Sequence, residues 1–94
     1  MSDVITKAVE GLSAKVSSFA GVAKFVIPGE GAIMIDHSGV RAADKEADVT
    51  LTAEAEVFRA ILDGEMNPTA AFMTGKLSVE GNMGLAMQLG SVLG

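Results

Sequence analysis

The stretch 64–90, GEMNPTAAFMTGKLSVEGNMGLAMQLG, constrains this chain more than any other. It holds a helix stop, two helix starts, a short strand and four of the five methionines that follow Met1. Gly64 offers the left-handed residue that ends a preceding helix. Asn67 can turn its side-chain oxygen to the open amides of a new helix, and Pro68 suits the first helical position, where its missing N–H leaves nothing unpaired. The spacing predicts a short helix over 68–74, closed by Gly75. Lys76-Leu77-Ser78-Val79-Glu80 then alternates polar and apolar, as a half-buried strand does. Asn82 repeats the start signal, and the last helix carries Met83, Leu85, Ala86, Met87 and Leu89, apolar almost all the way round.

A helix without a polar face must cover every side. One side can pack on a sheet; the other needs a second apolar partner, protein or ligand, and the residues alone leave that choice open.

The remainder of the chain supplies the sheet. Val4, Ile5, Ala8, Val9 and Leu12 follow a three-to-four spacing, predicting an amphipathic helix over residues 2 to about 18, capped by Ser2 or Asp3. Gly11 weakens it by about 1 kcal/mol. From Phe19 the period becomes two: Ala23, Phe25 and Ile27 share one face of a first strand and Lys24 the other. Pro28-Gly29-Glu30-Gly31 is a turn. Ile33 and Ile35 face inward from a second strand with Asp36 outward, and His37-Ser38-Gly39 turns into a third strand at 40–43. Asp44-Lys45-Glu46 connects to a fourth strand at 48–52, with Val49 and Leu51 inward. Together with Leu77 and Val79 they make one aliphatic wall. Thr52 is the expected cap of the next helix, with Glu54 and Glu56 in its first turn and Val57, Phe58, Ile61 and Leu62 as its buried stripe. The expected class is mixed α/β (α+β), five strands and four helices without internal repeats.

Ninety-four residues leave room for one core, so we expect a single domain over 1–94. A hydrophobic content of 49% exceeds what a minimal core needs. A net charge of −5 excludes nucleic acid as a partner and weakens attraction to anionic headgroups. Without cysteine there is no disulfide, thiolate or cysteine-held metal, as in a reducing compartment. Asp3, Lys7 and Glu10 interrupt the region where a signal peptide would need an apolar core, and Ser91-Val92-Leu93-Gly94 is not a peroxisomal address of the Ser-Lys-Leu type. The charge-free run 81–94 falls short of the roughly 20 residues that span a bilayer. The expectation is a cytoplasmic protein whose membrane contacts are brief.

Catalytic constellations are absent. His37 is the one histidine, and its neighbours Asp36 and Ser38 cannot converge with it on one point in a turn. Gly29-Glu30-Gly31 lacks the third glycine of a dinucleotide fingerprint. The acids Asp44, Glu46, Asp48, Glu54 and Glu56 have no calcium-loop spacing and read as a solvated rim, Asp48 serving solubility. We expect no metal, no cofactor and no enzyme activity. Met66, Met73, Met83 and Met87 are either gap fillers in a core or a deformable wall for ligands of varied shape. An empty cavity of roughly 300 Å³ would destabilise by on the order of 7 kcal/mol, comparable with the whole stability of a small domain. Such a space is expected to hold a ligand or to collapse. Asn82 is taken up as a cap, and Gln88 faces either a headgroup or water.

Gly64-Glu65-Met66-Asn67-Pro68 with Ala71-Phe72, then Gly75-Lys76-Leu77, then Gly81-Asn82-Met83, with Ala47-Asp48-Val49-Thr50-Leu51 before them, resembles the sterol carrier protein 2 family, also called nonspecific lipid-transfer proteins. The resemblance covers residues 47–89. It implies a mostly antiparallel five-stranded sheet with helices packed on one face and a lipid-sized tunnel between them. The implied ligands are fatty acids, acyl-CoA, sterol-like or isoprenoid molecules, bound and transferred without catalysis. Phe58, Ile61 and Leu62 of one helix and Phe72 and Met73 of the next would line or gate the space. Met83, Leu85, Met87 and Leu89 of the last helix would complete it. The alternative is a non-catalytic interaction or homodimerisation module, its last helix docking a second copy or an enzyme of lipid or isoprenoid-quinone metabolism.

Overall fold

The computed structural model describes residues 3–16 and 18–93. In chain order these form α1 (Asp3–Lys15), β1 (Ala23–Ile27), β2 (Gly31–Asp36), β3 (Gly39–Ala42) and β4 (Val49–Ala53), then α2 (Ala55–Leu62), α3 (Pro68–Met73), β5 (Leu77–Gly81) and α4 (Met83–Leu93). The expected cap Ser2 lies outside the described residues. The five strands stand in the order β3-β2-β1-β4-β5, with β1 and β4 parallel and every other pair antiparallel.

Register turns the period-two pattern into rows across the sheet. Ala42, Ile33, Phe25, Leu51 and Val79 form one row on the helix-covered face; Val40, Ile35, Ala23, Val49 and Gly81 form the next. Ile5, Ala8 and Leu12 of α1, Phe58 and Ile61 of α2, and Leu89 of α4 close over them into one core. The aliphatic wall and the helices on one face thus agree with expectation.

Gly81 explains how α4 can begin where it does. Its φ is 104°, and a Cβ there would collide with the Asp48 carbonyl oxygen, which accepts the Asn82 N–H at 2.9 Å. Asp48 is therefore more than a solubilising charge. Its N–H donates to the Val22 carbonyl at 2.8 Å and its Oδ2 accepts the Val22 N–H at 3.2 Å, tying the starts of β1 and β4 to the end of β5.

Two other expectations are corrected. Thr52 does not cap α2: it stays in β4, whose ladder runs on to Ala53 opposite Leu77, and Glu54 takes the cap position with no side-chain hydrogen bond. Asp36 points away from the core but is only 8% exposed. Arg41 holds it with two hydrogen bonds, Nη1 to Oδ1 at 3.1 Å and Nη2 to Oδ2 at 2.9 Å, and the Ser38 N–H donates to Oδ1 at 2.8 Å. On that same outer face Met34 sits in register between Lys24 and Arg41, themselves paired with Asp44 and Asp36, and is 1% exposed. His37 is exposed in its turn, as expected.

Candidate functional site

The site begins with two asparagine caps. Asn67 Oδ1 accepts from the Thr69 N–H at 2.8 Å and the Ala70 N–H at 3.3 Å, with Pro68 next to it in the first turn, so the six-residue α3 starts as the sequence predicts. At its other end Thr74 Oγ1 donates to the carbonyls of Ala70 and Ala71 at 3.0 and 3.2 Å. Asn82 Oδ1 accepts the Leu85 N–H at 3.1 Å and starts α4. At its first turn α4 comes close to the chain entering β1. A Cβ on Gly21 would fall 2.6 Å from Leu85 Cδ1, so any larger residue there would push the Leu85 side chain out of its present position.

Between α3, α4 and the β4–β5 end of the sheet lies an open groove of about 560 Å³. Its floor is Phe25, Leu51, Leu77 and Val79; Ile61, Pro68, Phe72 and Met73 make one wall, and Met83, Ala86, Met87 and Leu93 the other. Asn67, Thr69 and Ser91 supply polar edges. None of its 16 lining residues is ionisable. The mouth is apolar and wet: Met73 is 79% exposed, Met87 72%, Met83 46% and Phe72 42%. That is the uncovered side of the all-apolar helix.

Of the nine side chains expected here, Ile61, Phe72, Met73, Met83 and Met87 line the groove. The other four stand elsewhere. Leu89 is fully buried in the core, and Leu85 is half-buried against Gly21. Phe58 packs at a tilt on Phe25, ring centroids 4.2 Å apart and ring planes 50° apart, and with Leu62 lies toward α1. Met66 is half-buried against the core, and Gln88 is exposed away from the groove. The sheet face was expected as one side of the space, but its residues Phe25, Leu51, Leu77 and Val79 were not named among the binding residues, although their inward parity locates them there. The space is neither a closed cavity nor collapsed. Being open, it exposes apolar surface to water instead of enclosing a void.

A second cavity, of about 500 Å³, lies between α1 and α2. Five of its 11 lining residues are ionisable, namely Asp3, Lys7, Glu56, Arg59 and Asp63. This composition separates it from the groove, which suits a hydrocarbon chain along its whole length. The groove presents no nucleophile backed by a base and no acid–base pair. Among the described residues no group of three or more His, Cys, Asp or Glu could hold a metal ion, and no helix is long and apolar enough to cross a membrane. The Asp36–Arg41 pair lies outside the groove.

The profile of the SCP-2 sterol transfer family matches residues 4–94. Rat sterol carrier protein 2 is 44% identical over 64 residues, which is 68% of this chain and 11% of that protein's own length. The solution structure of sterol carrier protein domain 2 of Helicoverpa armigera superposes with a TM-score of 0.74 at 27% identity, over 96% of this chain and 85% of that one. Sterol carrier protein 2 of Aedes aegypti, solved in complex with the C16 fatty acid palmitate, superposes with a TM-score of 0.77 at 21% identity, over 99% and 96%, a likeness of fold. With the profile matched along nearly its whole length and the fold superposing on a sterol carrier protein domain, the chain belongs to the SCP-2 sterol transfer family.

Proposed function

We propose that this domain binds single apolar lipid chains in the groove between α3, α4 and the sheet, and carries them between membranes without chemically altering them. The observation that carries this reading is a groove of 16 lining residues with no ionisable group and a mouth of exposed methionines and phenylalanine. Burial of one methylene contributes about 0.8 kcal/mol, so a long acyl chain gains on the order of 10 kcal/mol before association costs bring binding to the micromolar class. Affinity built this way is undiscriminating, which fits a carrier of fatty acids, acyl-CoA or isoprenoid chains. The palmitate complex of the Aedes aegypti relative supports a fatty acid as the first ligand to try.

Thioethers at the mouth adapt to chains of different shape. The net charge of −5 gives little electrostatic hold on anionic bilayers, so loading and unloading there is brief. A cysteine-free chain suits the reducing cytoplasm in which we place this exchange. The test is titration of delipidated, folded protein with a fluorescent fatty acid. Saturable binding that Met87→Glu abolishes is the expected result; no saturation ends the reading.

One observation favours a second use of the same helix. Val92 of α4 is 45% exposed and does not line the groove, so α4 retains apolar surface for a second copy or an enzyme partner. A concentration-dependent dimer, weakened by Val92→Lys and insensitive to lipid, would favour that role.

A further inference from the structure

We propose that the cavity between α1 and α2 is a second binding site, taking the phosphocholine-type head and first methylenes of a single-chain zwitterionic amphiphile. At about 500 Å³ it falls within the roughly 300–1,000 Å³ of small-ligand sites. It shares no lining residue with the groove, and the Phe58 ring, which lines this cavity, packs at a tilt against the Phe25 ring of the groove floor. The proposal therefore stands apart from the lipid reading of the groove.

Its depth is apolar, formed by Val4, Ala8, Phe58 and Leu62. Gly11 keeps it open. A Cβ there would meet Leu62 Cδ1 at 3.0 Å, and a longer side chain would enter the space. Glycine inside a helix is less favourable than alanine, so α1 forgoes helix stability at the residue whose side chain would plug the cavity.

The rim sets the head group. Asp3, Glu56 and Asp63 contribute three negative charges and Lys7 and Arg59 two positive ones, leaving the rim one negative charge in excess. Among the described residues none of these five side chains makes a hydrogen bond or an ion pair, although both signs share one rim. A polyanionic head meets net repulsion, and a plain carboxylate meets more acids than bases. A phosphocholine head instead offers a phosphate to Lys7 and Arg59 and a quaternary ammonium to the carboxylates, and carries no net charge into a rim of mixed sign.

Three probes with one chain and different heads test this: dodecylphosphocholine, dodecyl sulfate and dodecyltrimethylammonium, each below its micelle concentration, followed by amide chemical shifts of the full chain. Dodecylphosphocholine is expected to move the amides of Val4, Gly11, Ala55 and Leu62 saturably and at the lowest concentration; dodecyl sulfate, repelled by the rim, moves only groove amides such as those of Phe72 and Met87, and dodecyltrimethylammonium, with no phosphate for Lys7 and Arg59, moves the four at least ~10-fold more weakly. Gly11→Leu, which improves helix propensity, should weaken the α1–α2 response at least ~10-fold and change the groove response less than ~2-fold. Lys7→Gln with Arg59→Gln, both at exposed positions, should transfer the α1–α2 response to dodecyltrimethylammonium. Silence of those four amides toward dodecylphosphocholine, an equal response to all three heads, or a response that survives Gly11→Leu overturns the proposal. So does a response to phosphatidylcholine vesicles alone, which makes this face a membrane contact. Loss of the groove response with the α1–α2 response intact overturns the lipid-carrier reading instead.

Discussion

Asp36 shows how a single side chain on the uncovered face of the sheet shapes the pH dependence of the fold. The hydrogen bonds from Arg41, and next the Ser38 N–H, hold its carboxyl below the ordinary value of 3.8 against the opposing effect of burial. A carboxylate favoured in the folded state contributes stability that is complete above its unfolded pKa and disappears as pH falls through the folded one. Asp36→Asn is therefore expected to lower the denaturant midpoint at neutral pH, and the gap to wild type should close as pH drops below 3.8. The Arg41 side chain is 44% exposed, so added salt should narrow the gap at neutral pH as well. A gap that stays constant down to acid pH would mean that Asp36 acts by packing and not by charge.

At the scale of elements, α3 is the weakest wall of the groove. Six residues do not make a stable helix alone, so α3 depends on its cap and on the buried side chains Pro68 and Ala71. Asn67→Ala removes two amide partners and should destabilise the domain by about 1 kcal/mol. Hydrogen exchange should quicken over 69–73, and fatty-acid binding should weaken because Phe72 and Met73 lose their fixed backbone. Unchanged exchange would show that packing alone holds the helix. The caps at Asn67 and Asn82 and the inward parity of the strands were legible because each is written within a few neighbouring residues. Gly64 and Gly75 likewise hold the positive φ their positions called for. Thr52 was misread because the choice between capping α2 and extending β4 rests on Leu77, 25 residues later, which pairs with Ala53. Met87 and Leu89 are equally apolar in sequence, yet one is 72% and the other 0% exposed. The docking of α4 at Gly21 and on the sheet decides between them, and no pattern within an all-apolar helix encodes that.

For the whole molecule, the floor of the groove and the core are one continuous body. Phe25 and Leu51 belong to both, so a chain that covers what the mouth leaves wet extends the core and is expected to add stability. Ligand at about 100 times its dissociation constant adds roughly 2.7 kcal/mol, which for a chain of this size raises Tm by roughly 10–20 °C. Met87→Glu separates binding from folding. At 72% exposure the substitution should leave the ligand-free stability within about 0.5 kcal/mol of wild type, since little there is buried. In the complex the new carboxylate would be pressed against hydrocarbon without a partner, which opposes binding strongly. Differential scanning calorimetry with and without a fatty acid should therefore show a large ligand-induced rise for wild type and little or none for the variant. An equal rise in both would place the chain away from Met87, and with it away from the α3–α4 groove.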